Sequence, residues 1–147
     1  AEKLSIIALK TVDVNGIGHY TLGKKRKDID PDQLGKYREL FEKYFLKSFT
    51  SRLTDYSDPK ISVLSSEKLN EKYTIVKTML LKTDKKPEVK IDWRVYTKDP
   101  NKPLIRDLIV EGLSLARTQK EEFASILNSN NNEIDALFQK LEEFINK

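Results

Sequence analysis

Apolar positions along the chain follow two rhythms. Leu34, Tyr37, Phe41, Tyr44, Phe45, Phe49, Leu53 and Tyr56 recur at steps of three and four, which places them on one face of a long α-helix. Asp30-Pro31-Asp32 opens that helix with a capping side chain, a proline at the first helical position and a carboxylate at the positive end of the dipole. Asp58-Pro59 closes it. Leu4, Ile7, Val12, Val14, Ile17 and Leu22 predict an earlier helix that runs through Gly16 and Gly18. Ile134, Leu137, Phe138, Leu141, Phe144 and Ile145 predict a last amphipathic helix after the asparagine run Asn130–Asn132.

Between these helices the rhythm becomes that of strands. Lys60–Leu64, Tyr73–Thr83, Val89–Lys98 and Leu104–Gly112 are rich in Val, Ile, Thr and aromatic residues and are separated by polar or Pro-containing turns. Val89, Ile91, Trp93 and Val95 point one way, and Lys90, Asp92, Arg94 and Tyr96 the other. The run Arg106–Leu127 is the sharpest local signal. An apolar strand meets Gly112, where the chain can bend. Ser114 is a candidate cap, and Thr118-Gln119-Lys120-Glu121 fits a capping box ahead of Phe123, Ile126 and Leu127.

Helix, then strands, then helices imply a single α+β domain over residues 1–147. The expected architecture, NTF2-like or cystatin-like, is helices packed on a twisted antiparallel sheet of about four strands. The strand Tyr73–Thr83 is apolar on both faces, with Ile75, Met79 and Leu81 against Val76 and Leu80. That surplus predicts an apolar cavity between the long helix and the sheet.

Composition sharpens this only in places. The chain has 147 residues, enough for one core. It is 38% hydrophobic and 34% charged with net charge +4, mildly basic, and it has no cysteine for disulfides or thiolate metal sites. No apolar run approaches the ~18–20 residues that span a bilayer.

Candidate chemistry is sparse. Gly18-His19-Tyr20-Thr21-Leu22-Gly23-Lys24-Lys25 falls short of a phosphate-binding loop, because Lys25 stands where a magnesium-binding hydroxyl is needed. Thr21 likewise replaces the third glycine of a dinucleotide fingerprint. His19 is the single histidine, so a His-based metal site within one chain is excluded. Asp92, Asp107 and Glu111 are the candidates for a pocket carboxylate, with Arg94 and Arg106 as simple charge partners. The run Lys24–Lys27 is a solvated cluster or a transient contact with anionic lipid headgroups or an acidic protein. Nucleic acid is disfavoured, since the aromatics are spaced to face inward.

Asp107, Glu111-Gly112, Ser114 and Phe123-Ala124 resemble the MlaC, or toluene-tolerance, family of periplasmic phospholipid-binding proteins. Val12-Asp13-Val14 with Thr21-Leu22-Gly23, the aromatic helix Phe41–Tyr56, and Lys86-Pro87-Glu88-Val89 with Ile91 and Trp93 extend the likeness. Arg106 departs from it, standing where an apolar or aromatic residue is usual. The resemblance implies a non-enzymatic carrier without cofactor or metal, whose signal peptide and part of whose N-terminal helical region are absent here. It would ferry phospholipid through the periplasm between an inner-membrane ABC transporter complex of the Mla type and an outer-membrane lipoprotein/porin complex, and so serve outer-membrane lipid asymmetry. Expected lipid-binding residues are Phe45, Phe49, Val76, Val89, Ile91, Trp93, Val95, Leu108, Val110 and Phe123. Asp107, Glu111, Gly112 and Ser114 would form a structural corner. A pocket enzyme using a carboxylate and a protein-interaction module with a filled core are the alternatives.

Overall fold

The computed structural model describes residues 2–54 and 60–147, with side chains from Ile6 to Ser51 and from Lys60 onward. The predicted stripe positions Leu4, Leu53 and Tyr56 and the stop at Asp58-Pro59 fall outside those side chains. Five helices pack on an antiparallel sheet of five strands.

The expected first helix is two helices, α1 (Glu2–Thr11) and α2 (Val14–Leu22). The break has a tertiary cause. Val12 forms a β-bridge with Ile105, and the Asp13 N–H donates to the Ile105 carbonyl at 2.9 Å. Asp13 then caps α2 by accepting from the Gly16 N–H at 3.1 Å. Gly18 lets α2 cross the next helix closely, since a Cβ there would stand 2.9 Å from Phe41 Cδ2. At Gly23, φ is +56°, and the chain turns into a short 3-10 helix over Gly23–Lys27.

Helix α3 (Pro31–Thr54) starts at a reciprocal capping box. Asp30 Oδ1 accepts from the Gln33 N–H at 2.8 Å, and Gln33 Oε1 accepts from the Asp30 N–H at 3.1 Å. Its aromatic stripe meets α4 (Leu115–Asn128) and α5 (Ile134–Ile145) in the main core. Tyr37, Phe41, Phe123, Leu137 and Leu141 are all at most 3% exposed. Phe123 stands edge-on to Tyr37 and Phe41, and the Tyr37 hydroxyl is 2.7 Å from Thr21 Oγ1. Burial therefore leaves no unpaired phenol.

The strands are β1 (Ile61–Lys68), β2 (Tyr73–Leu80), β3 (Val89–Tyr96), β4 (Leu104–Val110) and β5 (Leu113–Ser114), in that order across the sheet. The fifth strand, beyond the four expected, has two residues and follows a tight turn. Glu111 and Gly112 both have positive φ, 50° and 82°, as a type I′ hairpin requires. Strand β1 runs four residues past the expected Leu64 end, with a bulge between Val63 and Ser65. A second bulge lies in the β3–β4 pair between Arg94 and Val95.

The cap of α4 is Ser114, whose Oγ accepts from the Arg117 N–H at 3.1 Å. The expected capping box at Thr118–Glu121 is one turn inside the helix. Its Thr118 hydroxyl donates back to the Ser114 carbonyl, and Glu121 pairs with Arg117. Asn131 and Asn132 adopt positive φ, which asparagine tolerates, and α5 begins after Glu133. Helices α1, α2 and α4 meet the sheet at β4, while α3 packs on α1, α2 and α5. The helices thus crowd one side of the sheet, and β1 and β2 extend beyond them.

Candidate functional site

The register defines the inner face of the sheet. Leu80–Val89, Thr78–Ile91, Val76–Trp93 and Thr74–Val95 are opposed across β2 and β3. Ile91–Val110, Trp93–Leu108 and Val95–Ile105 continue that face onto β4. On it lies an open trough of about 280 Å³, lined by Ile61, Val63, Val76, Thr78, Trp93, Val95 and Ile105. One wall is Ile105, which also packs on the helical core. The other is β1, where Ile61 is 48% and Val63 68% exposed.

The lining is chemically quiet. Its one hydroxyl, on Thr78, donates to the Ile91 carbonyl at 2.7 Å and accepts from Trp93 Nε1 at 2.9 Å. Both polar atoms on the floor are therefore paired with each other or the backbone, leaving an apolar surface to solvent. Among the described residues, the side chains that line the trough are Ile61, Val63, Val76, Thr78, Trp93, Val95 and Ile105, none of them titratable.

Of the expected lining residues, Val76, Trp93 and Val95 lie on the trough floor. Val89, Ile91, Leu108 and Val110 share the inner face by register but sit beyond the trough lining. Phe45 and Phe49 stack on α3 with centroids 5.8 Å apart, Phe45 against the helical core. Phe123 is inside that core, 2% exposed. Ile61, Val63, Thr78 and Ile105 were not anticipated. Thr78 shares the parity of Val76, and Ile61 and Val63 alternate correctly, so those three were within reach of the pattern. Ile105 was not, because the Arg94/Val95 bulge shifts β4 by one residue and turns an odd-numbered side chain inward.

The corner residues converge at the end of β4. Asp107 Oδ1 accepts from the Leu108 and Ala116 N–H groups at 2.8 and 3.0 Å, and Oδ2 accepts a short hydrogen bond from the Ser114 hydroxyl. Glu111 Oε1 accepts from the Lys90 N–H at 2.7 Å. These bonds fix where α4 leaves the sheet.

The arginine partners differ from expectation. Arg106 pairs with Asp13, Nε to Oδ2 2.6 Å, and its guanidinium lies 4.8 Å from the Tyr96 ring centre. Arg94 stacks over Tyr73 at 4.2 Å. Among the described residues Asp92 Oδ1 is buried without a hydrogen-bond partner, on the face opposite the trough. His19 accepts from Arg38 Nε at 3.0 Å. Its pKa is lowered by burial, then by Arg38 and Arg26, with Asp13 opposing. Among the described residues no group of three or more His, Cys, Asp or Glu side chains is placed to hold a metal, and no helix is long and apolar enough to cross a membrane.

The profile of the MlaC protein family matches residues 1–143. The chain belongs to the MlaC family. A comparison with curated protein sequences gave no significant match. Among solved structures, the MlaC-family chain is similar to the phospholipid-binding protein from Ralstonia solanacearum, determined in complex with a phospholipid. The two agree with a TM-score of 0.79 at 18% identity, over 99% of this chain and 82% of that one. At that identity the likeness is one of fold.

Proposed function

We propose that this MlaC-family chain is a phospholipid carrier of the periplasm, passing lipid between an inner-membrane ABC transporter complex of the Mla type and an outer-membrane lipoprotein/porin complex. The observation that carries this reading is an apolar, uncharged trough left open on the sheet of a fold shared with a phospholipid-binding protein. The physical demand is large. A two-chain lipid exposes ~30 methylenes at ~0.8 kcal/mol each, on the order of 25 kcal/mol in water. At about 280 Å³ the trough stands near the low end of the ~300–1,000 Å³ typical of ligand pockets. Loading therefore widens it, with the helices on the β4 side moving away from β1–β3 while the acyl chains take the place of solvent. No step needs a covalent bond.

The test uses the molecule's own reporter. Trp93 is the single tryptophan and stands on the trough floor. Adding short-chain phospholipid below its micelle concentration shifts Trp93 emission to the blue, and native mass spectrometry finds phospholipid bound to the purified protein. Val76→Arg abolishes both signals with an unchanged circular dichroism spectrum, because its guanidinium can reach solvent from the open trough. Undiminished lipid recovery from that variant overturns the assignment.

A further inference from the structure

The trough accounts for the sheet, yet leaves unexplained a cluster of cations on the helical layer. Residues 19–38 carry six Lys or Arg side chains and three Asp, a net +3 of the chain's +4. The fold adds to it from another element. Lys120 of α4 reaches across to Gly23, where its Cε stands 3.1 Å from the position a Cβ would take, and its Nζ lies 4.9 Å from the Tyr20 ring centre. Arg38 of α3 closes the other side through His19. The 3-10 helix has three residues per turn, so Lys24 and Lys27 emerge on the same side. Within the 3-10 helix, Lys25 is tied to the Asn132 carbonyl at 2.5 Å. Among the described ion pairs, none engages Lys24, Arg26, Lys27, Arg38 or Lys120. Of the neighbouring acids, Asp30 is committed to the α3 cap and Asp32 to its first turn, and Asp28 is exposed. Burial first, and then Arg38 and Arg26, lower the pKa of His19, so both cations stand close enough to act on it.

We propose that this patch, Tyr20 with Lys24, Arg26, Lys27, Arg38 and Lys120, is a docking surface for an anionic bilayer. Its form fits a lipid surface better than a shaped protein. The charges come from three elements, the 3-10 turn, α3 and α4, and none of them lines the trough. Tyr20, 44% exposed at their centre, offers an apolar ring with a polar tip, the amphipathic type that settles at headgroup level. No patch residue lines the trough, so docking there does not depend on what the trough carries.

The test is sedimentation with vesicles of phosphatidylcholine, alone or with about one-third phosphatidylglycerol. The protein partitions onto the anionic vesicles only, and roughly 0.5 M salt releases it. Each cation near such a surface contributes about fivefold, so replacing Lys24, Arg26 and Lys27 together by Gln weakens partition on the order of a hundredfold. A second variant, Lys85, Lys98 and Lys102 to Gln, removes the same charge from the sheet's turns and stays within about fivefold of the parent. Tyr20→Ala weakens binding in the presence of salt more than without it. Equal losses from both triple variants, equal binding to the neutral vesicles, or binding to polyglutamate without binding to anionic vesicles would each overturn the proposal, the last in favour of an acidic protein partner.

Discussion

The helical layer and the sheet both carry apolar side chains and use them in opposite ways. In the helices, Tyr37, Phe41, Phe123 and Leu137 are sealed against one another, and the hydroxyl that goes in with them is matched by Thr21. In the sheet, Val76, Trp93 and Val95 are only half-buried, and Ile61 and Val63 stand largely in water. One region has completed its packing and the other stands open to solvent. The difference teaches where stability resides and where change can be tolerated. A close-packed interior resists any alteration of volume, whereas a half-exposed face has little to lose.

The sharpest way to break this comparison is to truncate a large side chain in each region. Phe41→Ala removes a ring from the sealed core and should cost ~3–5 kcal/mol by denaturant unfolding. Val95→Ala on the trough floor should cost less than ~1 kcal/mol in lipid-free protein, because part of that side chain is already hydrated. Equal losses would mean the sheet face is as closed as the helices. Next in size is Gly18→Ala. Its methyl would press on Phe41 from 2.9 Å, and the expected loss is ~1–3 kcal/mol, seen as a lower Tm.

Tyr37→Phe probes the seal itself. The lost hydrogen bond to Thr21 should cost ~1 kcal/mol, softened because Thr21 still donates to the Gly18 carbonyl at 2.7 Å. Burial raises the Tyr37 pKa in the folded protein. As pH climbs past about 10, the unfolded chain therefore gives up this proton first. The stabilisation is intact below that pH and declines above it. In the Phe variant, this tyrosine's share of the alkaline decline in Tm should vanish. The smallest effect lies at the acid side. His19 has a lowered folded pKa, so its contribution is present above about pH 6.5 and is lost as pH falls. His19→Gln should flatten a slight downward drift of Tm between pH 7 and 5 without moving trough binding.

Much of this was legible in the sequence because the signals were local. The cap at Asp30-Pro31, the stripe of α3, the alternation of Val89 to Val95 and the Glu111-Gly112 turn each follow from side chains within a few residues. What could not be read was set by contacts distant in sequence. The break after Thr11 depends on Val12 meeting Ile105. The inward turn of Ile105 depends on a bulge, which alternation alone cannot locate. Phe123 belongs to the right helical face, but the α3 and α5 side chains that enclose it lie elsewhere in the chain. The pairing of Arg106 with Asp13 rather than a neighbouring acid is of the same kind.

Asp13 has a consequence of its own. One short residue holds the start of α2, the charge on Arg106 and, through its backbone, the edge of β4. Three fastenings share a single rivet. Losing its carboxylate would uncap α2 and strand the charge on Arg106, while the backbone bond to Ile105 and the packing of α1 on α3 and β4 stay in place, so two of the three fastenings fail together and the third survives.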